Sequence, residues 1–561
     1  MNRIEKGSLL VLAIIVAFNI FFGLGSIPLL DPDEPVYAET AREMIQFNDY
    51  LSPRIYNEYW FDKPPMYYWL VAGAMHVFGD GEFAARFPAA LMAFLTVIML
   101  YCSITRLFNE RTGFWSALVL ATSVQFFYLG KAAVTDTTLL FFLTGSLLCY
   151  LHKQYWLMYV CMALATVTKG PIGIVFPGAI IFLHILCTGQ WQRLFKMHCL
   201  RGLLLYFFIA APWYYLMYQV HGMEFINTFL GFHNLTRFTT PEHPTRVLWW
   251  YYFPVIILGL FPWTGLLLQS IKASITDSRS DDLEKMLFVN IWWLFVLIFF
   301  TISQTKLVSY ILPMFPALAI VIGWNIARMQ KENYGIRWSW IFGSGIMFLL
   351  LTAGWVIGGQ QLPEVAFGGI VLGSVTFILG VSIVWALWRY RDINFSAWLH
   401  VVTGVLTMVI AFSFLLPMVA NRFSVKEIVR VYHTKCDQQK PVYVDKFLRP
   451  GFMYYTGAPG EEVKPKSGDL ARVLNDPGQK YVLVRGLELR RLKDKDKLQN
   501  LNEIKEIGDI KGTGGMIILD AKGNFAFPMN SSGMHRGMID SKGVPMTAMF
   551  GDEQLRHFKA K

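Results

Sequence analysis

Repeated apolar runs, many of them long enough to cross a membrane, constrain this 561-residue chain more than any other feature. A bilayer-spanning helix needs roughly 20 predominantly apolar residues, and fourteen runs between residues 9 and 418 approach that length. The runs near 66–78, 137–151 and 155–168 are the short ones, so the pattern predicts 11–14 spans, with 13 preferred. The chain is therefore predicted to be a polytopic α-helical membrane protein.

Charged residues divide the chain into two parts. Of the 141 residues in 421–561, 42 are charged, compared with 47 of the 420 residues before them. An ordinary globular domain carries about 25% charged residues. We therefore expect a membrane domain over 1–420, with long external loops at 25–65 and 220–250, followed by a soluble domain over 421–561.

The soluble region combines short apolar runs typical of strands with two helical patterns, which predicts a small C-terminal α/β domain. The strands are expected at 442–444, 481–484 and 515–519, and the helices around 425–431 and 468–474. From Phe527 onward the chain is rich in Gly, Met and Ser, and we expect this end to be disordered.

The net charge of +11 does not indicate a nucleic-acid partner. The basic residues are spread over short loops beside apolar runs, where the positive-inside rule explains them better than a phosphate-binding patch does. These loops are therefore expected to be cytoplasmic. An odd number of spans then places loops 25–65 and 220–250 on the outer side together with the C-terminal domain.

The loop after the first apolar run carries three carboxylates within four residues: Asp31, Asp33 and Glu34. In a structural interpretation, Asp33 or Glu34 caps the helix that follows and Pro35 lies in its first turn. In a chemical interpretation, a carboxylate held at the bilayer surface takes a proton from an acceptor hydroxyl. The two interpretations are compatible, because a capping turn also fixes a carboxylate in place.

An Asp62–Lys63 pair lies between aromatic residues at the predicted outer interface. The structural interpretation is an aromatic belt with a lysine that reaches toward the headgroups. The functional interpretation makes Lys63 a point charge for a lipid phosphate, with Asp62 orienting it or binding a metal.

His233 and Arg237 form the third candidate stretch, and their spacing of four residues puts them on one face of a helix. A lone histidine is more often structural than a ligand, whereas an arginine beside the membrane suits a phosphate group. The sequence contains no Gly-rich phosphate loop and no HExxH or GxSxG motif.

Four charged residues lie at the edges of apolar runs: Lys131, Asp136, Lys169 and Lys306. A charge at the bilayer centre costs roughly 2.5–3.5 kcal/mol on insertion scales, so such residues are functional candidates. If these positions are loop edges, the cost disappears and the residues need no functional explanation. The sequence leaves both interpretations open.

Five stretches, taken in chain order, resemble one family. They are the Asp33-Glu34 loop with Tyr37-Ala38-Glu39, the turn Phe61-Asp62-Lys63-Pro64, the triplet Thr168-Lys169-Gly170, the segment from His233 to Phe238 with Trp250-Tyr251-Tyr252, and Lys306-Leu307 with Tyr310-Ile311-Leu312-Pro313. Over about residues 25–320 the chain resembles the GT-C membrane glycosyltransferases that use polyprenyl-phosphate sugars. The resemblance is strongest to the 4-amino-4-deoxy-L-arabinose lipid A transferases and more distant to the protein O-mannosyltransferases.

This resemblance implies about 13 transmembrane helices in a bacterial inner membrane, with the active site and the C-terminal domain in the periplasm. It also implies a sugar donor carried on undecaprenyl phosphate and an acceptor that is lipid A, a glycan or a protein. Membrane lipids are the remaining partners implied, and nucleic acid is not among them.

The resemblance further implies roles for individual residues. Asp33, Glu34 and Asp136 would be catalytic, with Asp33 as general base or acceptor-positioning group. Lys63, Arg237 and Tyr310 would hold the lipid phosphate. Asp62 and His233 fall where relatives place metal-associated groups, so a divalent metal ion is a candidate cofactor. Arabinose transferases commonly have Glu at the position of Asp62, and this shorter carboxylate leaves the metal assignment open.

The predicted activity is therefore transfer of a sugar, such as 4-amino-4-deoxy-L-arabinose, from undecaprenyl phosphate to an envelope acceptor such as lipid A. The alternative within this class is a mannosyltransferase-like enzyme that glycosylates a protein or a surface glycan. A lipid or solute transporter is the alternative of a different class, and it predicts charges near mid-membrane rather than at the outer interface. A scaffold for envelope assembly would leave the charges without a shared site.

Overall fold

The computed structural model describes most of the chain. Described are residues 3–236, 248–276, 280–332, 338–361, 363–420, 422–464, 469, 473 and 480–485, together with the backbone of five short strands beyond residue 504. The chain forms two compact units. The first consists of Met1–Ile27, Thr40–Arg54 and Tyr59–Met418, and the second of Pro28–Glu39, Ile55–Glu58 and Val419–Lys561.

The first unit is built almost entirely of helices. In chain order the α-helices are α1 (Arg3–Phe21), α2 (Asp33–Gln46, which begins in the second unit), α3 (Met66–Phe78), α4 (Glu82–Leu107), α5 (Glu110–Thr122), α6 (Val124–Gly130), α7 (Asp136–Leu151), α8 (Tyr155–Lys169), α9 (Ile172–Thr188), α10 (Gln192–Lys196), α11 (Cys199–Ile226), α12 (Tyr252–Gly259), α13 (Thr264–Thr276), α14 (Ser280–Ile302), α15 (Phe315–Glu332), α16 (Trp338–Gln360), α17 (Ala366–Trp385), α18 (Ile393–Ile410) and α19 (Leu416–Ala420).

Several tighter or wider helical turns join these helices. Asn227–Thr236, Ala386–Tyr390 and Ala411–Leu415 are π-helical, and Val308–Met314 and Pro363–Val365 are 3₁₀-helical. A two-stranded hairpin, β1 (Arg54–Ile55) and β2 (Glu58–Tyr59), lies in the loop between α2 and α3.

Many helices of the first unit are long and apolar enough to cross a membrane. Within the described residues seven segments meet this condition, and two bent helix pairs raise the number to nine. The seven are Glu82–Leu107, Cys199–Gly231, Asp282–Ile302, Val308–Lys331, Trp338–Gln360, Ala366–Tyr390 and Ile393–Ala420; the bent pairs are α5 with α6 and α12 with α13. Three shorter apolar helices, Lys6–Phe21, Asp136–Leu151 and Ile172–Thr188, accompany them. The figure of about 13 spans stays a prediction.

The helices form one continuous apolar core around α15. The apolar window of Val308–Lys331 is 94% buried, whereas that of α16 is only 17% buried, so α15 is central and α16 peripheral. Close packing at the centre depends on Gly323, because a Cβ there would lie 2.4 Å from the Ser116 hydroxyl of α5. The exposed faces of the outer helices carry large apolar residues such as Phe342 and Leu349. Such a surface suits lipid rather than water.

The second unit contains an α/β sheet. Its helices are α20 (Lys426–Lys435) and α21 (Arg449–Thr456), and its strands are β3 (Val442–Asp445), β4 (Glu461–Val463), β5 (Lys480–Val484), β6 (Lys505–Ile510), β7 (Gly514–Leu519), β8 (Arg536–Ile539), β9 (Pro545–Ala548) and β10 (Arg556–His557). The five-stranded sheet has the order β4-β3-β5-β7-β6. Strands β4, β3 and β5 are parallel, and β7 is antiparallel to both of its neighbours.

The three strands predicted in this region lie within β3, β5 and β7, and the first predicted helix overlaps α20. Of the second predicted helix only Asp469 and Val473 are described. Most of the end expected to be disordered, from Phe527 on, lies outside the described residues. Its described parts are β8, β9 and β10, which pair in a separate three-stranded sheet.

The boundary between the units differs from the predicted division at residue 420, because Pro28–Glu39 belongs to the second unit. The Asp31 carboxylate accepts hydrogen bonds from the backbone amides of Val425 (2.9 Å) and Gly451 (3.1 Å). The Leu29 amide donates to the hydroxyl of Tyr455 at 2.8 Å. These bonds join the carboxylate-rich loop to α20 and α21.

Candidate functional site

The turn before α3 holds an ion pair. The Lys63 ammonium lies 2.8 Å from a carboxylate oxygen of Asp62, and both side chains are only 14% exposed. The preceding Phe61 is buried and packs against His221 and Phe225 of α11, with ring-centroid distances of 4.9 and 5.7 Å. The ion pair is therefore fixed from one side by the buried ring of Phe61.

A second ion pair closes the helical hairpin of α7 and α8. Asp136 is the first residue of α7 and Lys169 the last of α8, and the ammonium lies 2.9 Å from the carboxylate. Each charge also lies at the helix end where the helix dipole favours it. Gly170, with a positive φ of 86°, ends α8 directly after Lys169. The pair is largely buried, with side-chain exposures of 16% and 11%.

The two ion pairs and Tyr310 form one cluster in the first unit. Lys169 interacts electrostatically with Asp62 and Tyr310 as well as with Asp136. Its ammonium lies 5.6 Å from the centre of the Tyr310 ring, which is within the range of a cation–π contact. Two ammonium groups and two carboxylates, all partly or largely buried, thus lie beside a phenol. The structure brings together four of the eight predicted site residues: Asp62, Lys63, Asp136 and Tyr310.

The other two lysines that the sequence singled out have backbone partners. The Lys306 ammonium donates to the carbonyls of Phe300, Thr301 and Ser303 at 2.6–3.1 Å, and these carbonyls end α14. Lys131 is buried and donates to the carbonyl of Phe22 just after α1. Both charges contact carbonyls at or just beyond a helix end, where carbonyls lack partners within the helix, so both lysines have a structural role.

The three carboxylates of the first loop have different surroundings in the second unit. Asp31 is tied to two backbone amides, and burial raises the pKa of its carboxyl well above the usual value although these hydrogen bonds act in the opposite direction. Glu34 is buried, and its carboxylate accepts the Leu30 amide at 2.8 Å. Asp33 begins α2 and is exposed. The helix begins at Asp33, so Asp33 and Glu34 lie inside its first turn and not at the N-cap position predicted for one of them.

Two predicted residues cannot be placed. Arg237 lies outside the described residues, and for His233 only the backbone is described, within the π-helical turn after α11. Among the described side chains, no group of three or more His, Cys, Asp or Glu residues is arranged to hold a metal ion. Asp62 contacts an ammonium, which competes with a cation for its carboxylate. The described residues thus form no metal site of three such ligands, and a metal site at Asp62 and His233 stays a prediction.

The contacts of His221 were not predicted from any sequence pattern. Its Nε2 lies 2.8 Å from the Ser52 hydroxyl, and its ring packs edge-on against Tyr59 with a centroid distance of 4.4 Å. His221 therefore joins the loop after α2 to α11, next to the Phe61 anchor. Ser52 and His221 are 169 positions apart, so no spacing pattern in the sequence could have revealed this contact. The Asp136–Lys169 pairing was also missed, although a carboxylate before one apolar run and a lysine after the next was a usable signal.

Comparison with known proteins points to one family. The sequence profile of the dolichyl-phosphate-mannose-protein mannosyltransferase family matches residues 62–216, a range that contains both ion pairs. An uncharacterised protein of Aquifex aeolicus is 30% identical over 343 residues, which are 61% of this chain and 78% of that protein. An undecaprenyl phosphate-alpha-4-amino-4-deoxy-L-arabinose arabinosyl transferase of Edwardsiella ictaluri is 28% identical over 379 residues, 64% of this chain and 67% of that enzyme.

A solved structure shows the same fold. The crystal structure of ArnT from Cupriavidus metallidurans bound to undecaprenyl phosphate superimposes with a TM-score of 0.76 at 21% identity, and the match covers 93% of this chain and all of that one. This likeness establishes a GT-C polytopic membrane fold. Together with the sequence relatives it identifies the chain as a glycosyltransferase that belongs to the GT-C family, close to the ArnT enzymes and related to the protein O-mannosyltransferases.

Proposed function

We propose that this enzyme transfers 4-amino-4-deoxy-L-arabinose, or a closely similar sugar, from undecaprenyl phosphate to lipid A. The observation that carries the proposal is the cluster of two lysine–carboxylate pairs beside Tyr310, within the segment that matches the mannosyltransferase profile. The names of the sequence relatives support the choice of sugar and carrier.

The donor phosphate would bind to Lys63. Its ammonium is partly exposed and is paired with an adjacent carboxylate, so a phosphate group can replace Asp62 as its partner. Tyr310 can donate a hydrogen bond to the same group, and Arg237, placed only by its sequence position, would supply a second cation. Breaking the sugar–phosphate bond leaves a phosphate monoester on the carrier, and the cations stabilise that developing charge.

The acceptor oxygen would attack the anomeric carbon directly. The bond from that carbon to the carrier phosphate breaks as the bond to the acceptor oxygen forms, and Asp33 takes the acceptor proton. Asp33 suits this role because its side chain is exposed to solvent at the start of α2. One displacement inverts the anomeric configuration and needs no covalent enzyme intermediate. Asp136 would hold Lys169 in place beside the donor.

The proposed setting is the bacterial inner membrane, crossed about 13 times, with the reaction and the soluble domain over 421–561 on the periplasmic side. Short basic loops support this orientation by the positive-inside rule. The proposal fits a donor whose lipid carrier lies in the same bilayer as the enzyme.

The decisive experiment supplies membranes with undecaprenyl-phosphate 4-amino-4-deoxy-L-arabinose and follows labelled sugar into lipid A. The wild type and Lys63→Gln are compared at matched protein levels, with Lys153→Gln as control because Lys153 is exposed in the loop between α7 and α8. We expect transfer by the wild type and the control, and a loss of at least about hundredfold in Lys63→Gln. Full transfer by Lys63→Gln would overturn the assigned donor site.

A second comparison addresses the proposed base. Asp33→Asn keeps the size of the side chain at the start of α2 and removes its ability to accept a proton as a base. We expect transfer to fall at least about hundredfold while the protein still elutes as a folded species. If transfer persists, Asp33 serves only the helix start, and the base is another residue.

The match to the mannosyltransferase profile supports a second candidate, transfer of a polyprenyl-phosphate sugar to a protein or surface glycan. The same assay separates the two, because the label then appears in protein or glycan when undecaprenyl-phosphate mannose is supplied.

A further inference from the structure

We infer that the soluble domain carries a binding site for phosphate groups at the carboxyl edge of strands β4, β3 and β5. This site lies entirely in the second unit and does not depend on the transfer reaction. Its ligand is a phosphoryl anion such as the phosphomonoester of a sugar or lipid headgroup. The argument begins with the order of the strands.

The order in which the chain adds strands to the sheet reverses at β3. From β3 the chain passes through α21 to β4 on one side, and it then returns to β5 on the other side of β3. In open α/β sheets, the carboxyl ends of the two strands at such a reversal frame a crevice that binds ligands. In this domain that position is the carboxyl end of β3 and β5.

Cations follow directly after all three parallel strands. Lys446 follows β3, Lys464 follows β4 and Arg485 follows β5. Asp445 pairs with Val463 in the register of β3 and β4. Lys446 and Lys464, the residues that follow, are therefore neighbours at the carboxyl ends of these strands. In the register of β3 and β5, Val444 is level with Leu483, which places Arg485 beside Lys446. Neighbouring strands are about 4.8 Å apart, so the three cationic residues lie in one row.

Arg485 is held in a fixed orientation at this row. Its Nε donates to the fully buried Asp445 carboxylate at 2.9 Å, and its guanidinium lies 4.2 Å from the centre of the Phe447 ring. The other oxygen of Asp445 accepts the Phe447 amide at 3.0 Å. A guanidinium oriented in advance by a carboxylate and an aromatic ring is suited to the fork-like recognition of phosphate oxygens.

The remaining surroundings also favour an anion. Lys446 and Lys464 are exposed. On the far side of β5, the next strand begins with Gly514 and Gly515, which have no side chains, and Gly515 pairs with Val484. Two carboxylates lie at the row: Asp445, and Glu462, whose oxygens are 4.0 Å from the Lys464 ammonium and 3.6 Å from the Arg449 guanidinium. Lys446, Lys464, Arg485 and Arg449 thus outnumber the two carboxylates, and the net positive charge attracts an anion such as phosphate.

The test uses the full-length enzyme in a phosphate-free detergent and titrates it with inorganic phosphate and with glucosamine 1-phosphate in a calorimeter. The variant is Lys446→Gln/Lys464→Gln, in which both changed residues are exposed. The control is Arg430→Gln/Lys440→Gln, which changes the net charge equally: Arg430 is on α20, and Lys440 precedes β3 at the opposite edge of the sheet.

We expect the variant to raise the dissociation constant of both probes at least tenfold and the control to change it less than twofold. Arg485→Lys, which keeps the charge but removes the fork, should fall between them. Equal affinity of variant and control, or no binding by the wild type at millimolar phosphate, would overturn the proposal. Because these readouts measure binding alone, they remain informative even if the proposed transfer is not observed.

A final arm identifies the source of the phosphate. The wild type is placed in nanodiscs of phosphatidylcholine alone or with added phosphatidylglycerol, and glucosamine 1-phosphate is titrated again. If bilayer headgroups fill the site, phosphatidylglycerol weakens the binding of the soluble probe. If the natural ligand is the phosphate of a soluble or acceptor molecule, the two nanodiscs give the same affinity. Both outcomes support a phosphate site and assign it to different ligands.

Discussion

Two places in the helical unit each hold a lysine at the end of an apolar helix, and the partners of the two lysines differ. Lys169 at the end of α8 meets the carboxylate of Asp136, whereas Lys306 beyond the end of α14 meets three backbone carbonyls. From the sequence alone both are costly charges beside apolar runs. Lys306 satisfies backbone carbonyls at a helix end and thus has a structural role. Lys169 is paired with a carboxylate next to a second lysine–carboxylate pair, and we propose that a ligand can replace one of the partners in this cluster.

The largest expected effect is on the transfer rate, which should depend on Lys169 far more than on Lys306. We expect Lys169→Met to lower the transfer rate at least about hundredfold, which corresponds to about 2.7 kcal/mol of transition-state stabilisation. The change leaves Asp136 as a largely buried carboxylate without its cation, next to the assigned donor site. Lys306→Met should lower the rate less than about threefold at matched protein levels. Similar losses in the two variants would remove the distinction between them.

The next effect concerns the stability that Lys306 contributes. Lys306→Met should lower the free energy of unfolding by about 2 kcal/mol, because three carbonyls lose charge-assisted hydrogen bonds. The measurement is thermal unfolding of the purified protein by intrinsic fluorescence. Lys331→Met serves as the control, since Lys331 is exposed on α15. An unchanged melting temperature in Lys306→Met would show that the carbonyls find other partners.

A smaller effect should extend the comparison to the Asp62–Lys63 pair. His221→Ala removes the contact to the Ser52 hydroxyl and the ring that packs on Phe61, so the turn that carries the ion pair loses its support. We expect kcat/KM for the donor to fall about tenfold, since a misplaced binding group lowers the rate without removing the chemistry. His221→Gln, which can still hydrogen bond to Ser52, should recover part of the loss. No difference between the two variants would assign the support to ring packing alone.

The smallest effect tests the second unit by its dependence on pH. Folded Asp31 has a raised pKa, whereas an aspartate in the unfolded chain titrates near 3.9. Its contribution to stability is therefore complete below about pH 3.9 and is lost as the pH rises through the raised folded pKa. Asp31→Asn cannot titrate, so its melting temperature should decline less with rising pH than that of the wild type. Parallel curves for the two proteins would contradict the raised pKa.

The sequence predicted those parts of the fold that depend on local patterns. Apolar runs located the helices, and short apolar segments located β3, β5 and β7. It predicted the residue types of the site, because lysines and carboxylates are conspicuous among apolar neighbours. For their pairing it offered only an indirect signal, a carboxylate before one apolar run and a lysine after the next, because Asp136 meets Lys169 only when α7 and α8 fold into a hairpin. The roles of Lys131 and Lys306 were hidden, because backbone carbonyls leave no trace in the sequence.

Long-range contacts are the other feature that could not be predicted from the sequence. The carboxylate loop was expected to belong to the membrane domain because it follows the first apolar run. The structure joins it to α20 and α21 through Asp31, whose partners are 394 and 420 residues further along the chain. No periodicity or spacing can indicate a hydrogen bond over such a separation.

The hydrogen bonds of Asp31 also have a consequence for the timing of assembly during translation. The amides of Val425 and Gly451 that hold the carboxylate loop follow Asp31 by 394 and 420 residues, so the ribosome makes the loop long before its partners. A nascent chain that has inserted all its helices still lacks the partners of this loop. The loop that carries Asp31 and Asp33 therefore gains these two hydrogen bonds only after the chain has been made as far as Gly451.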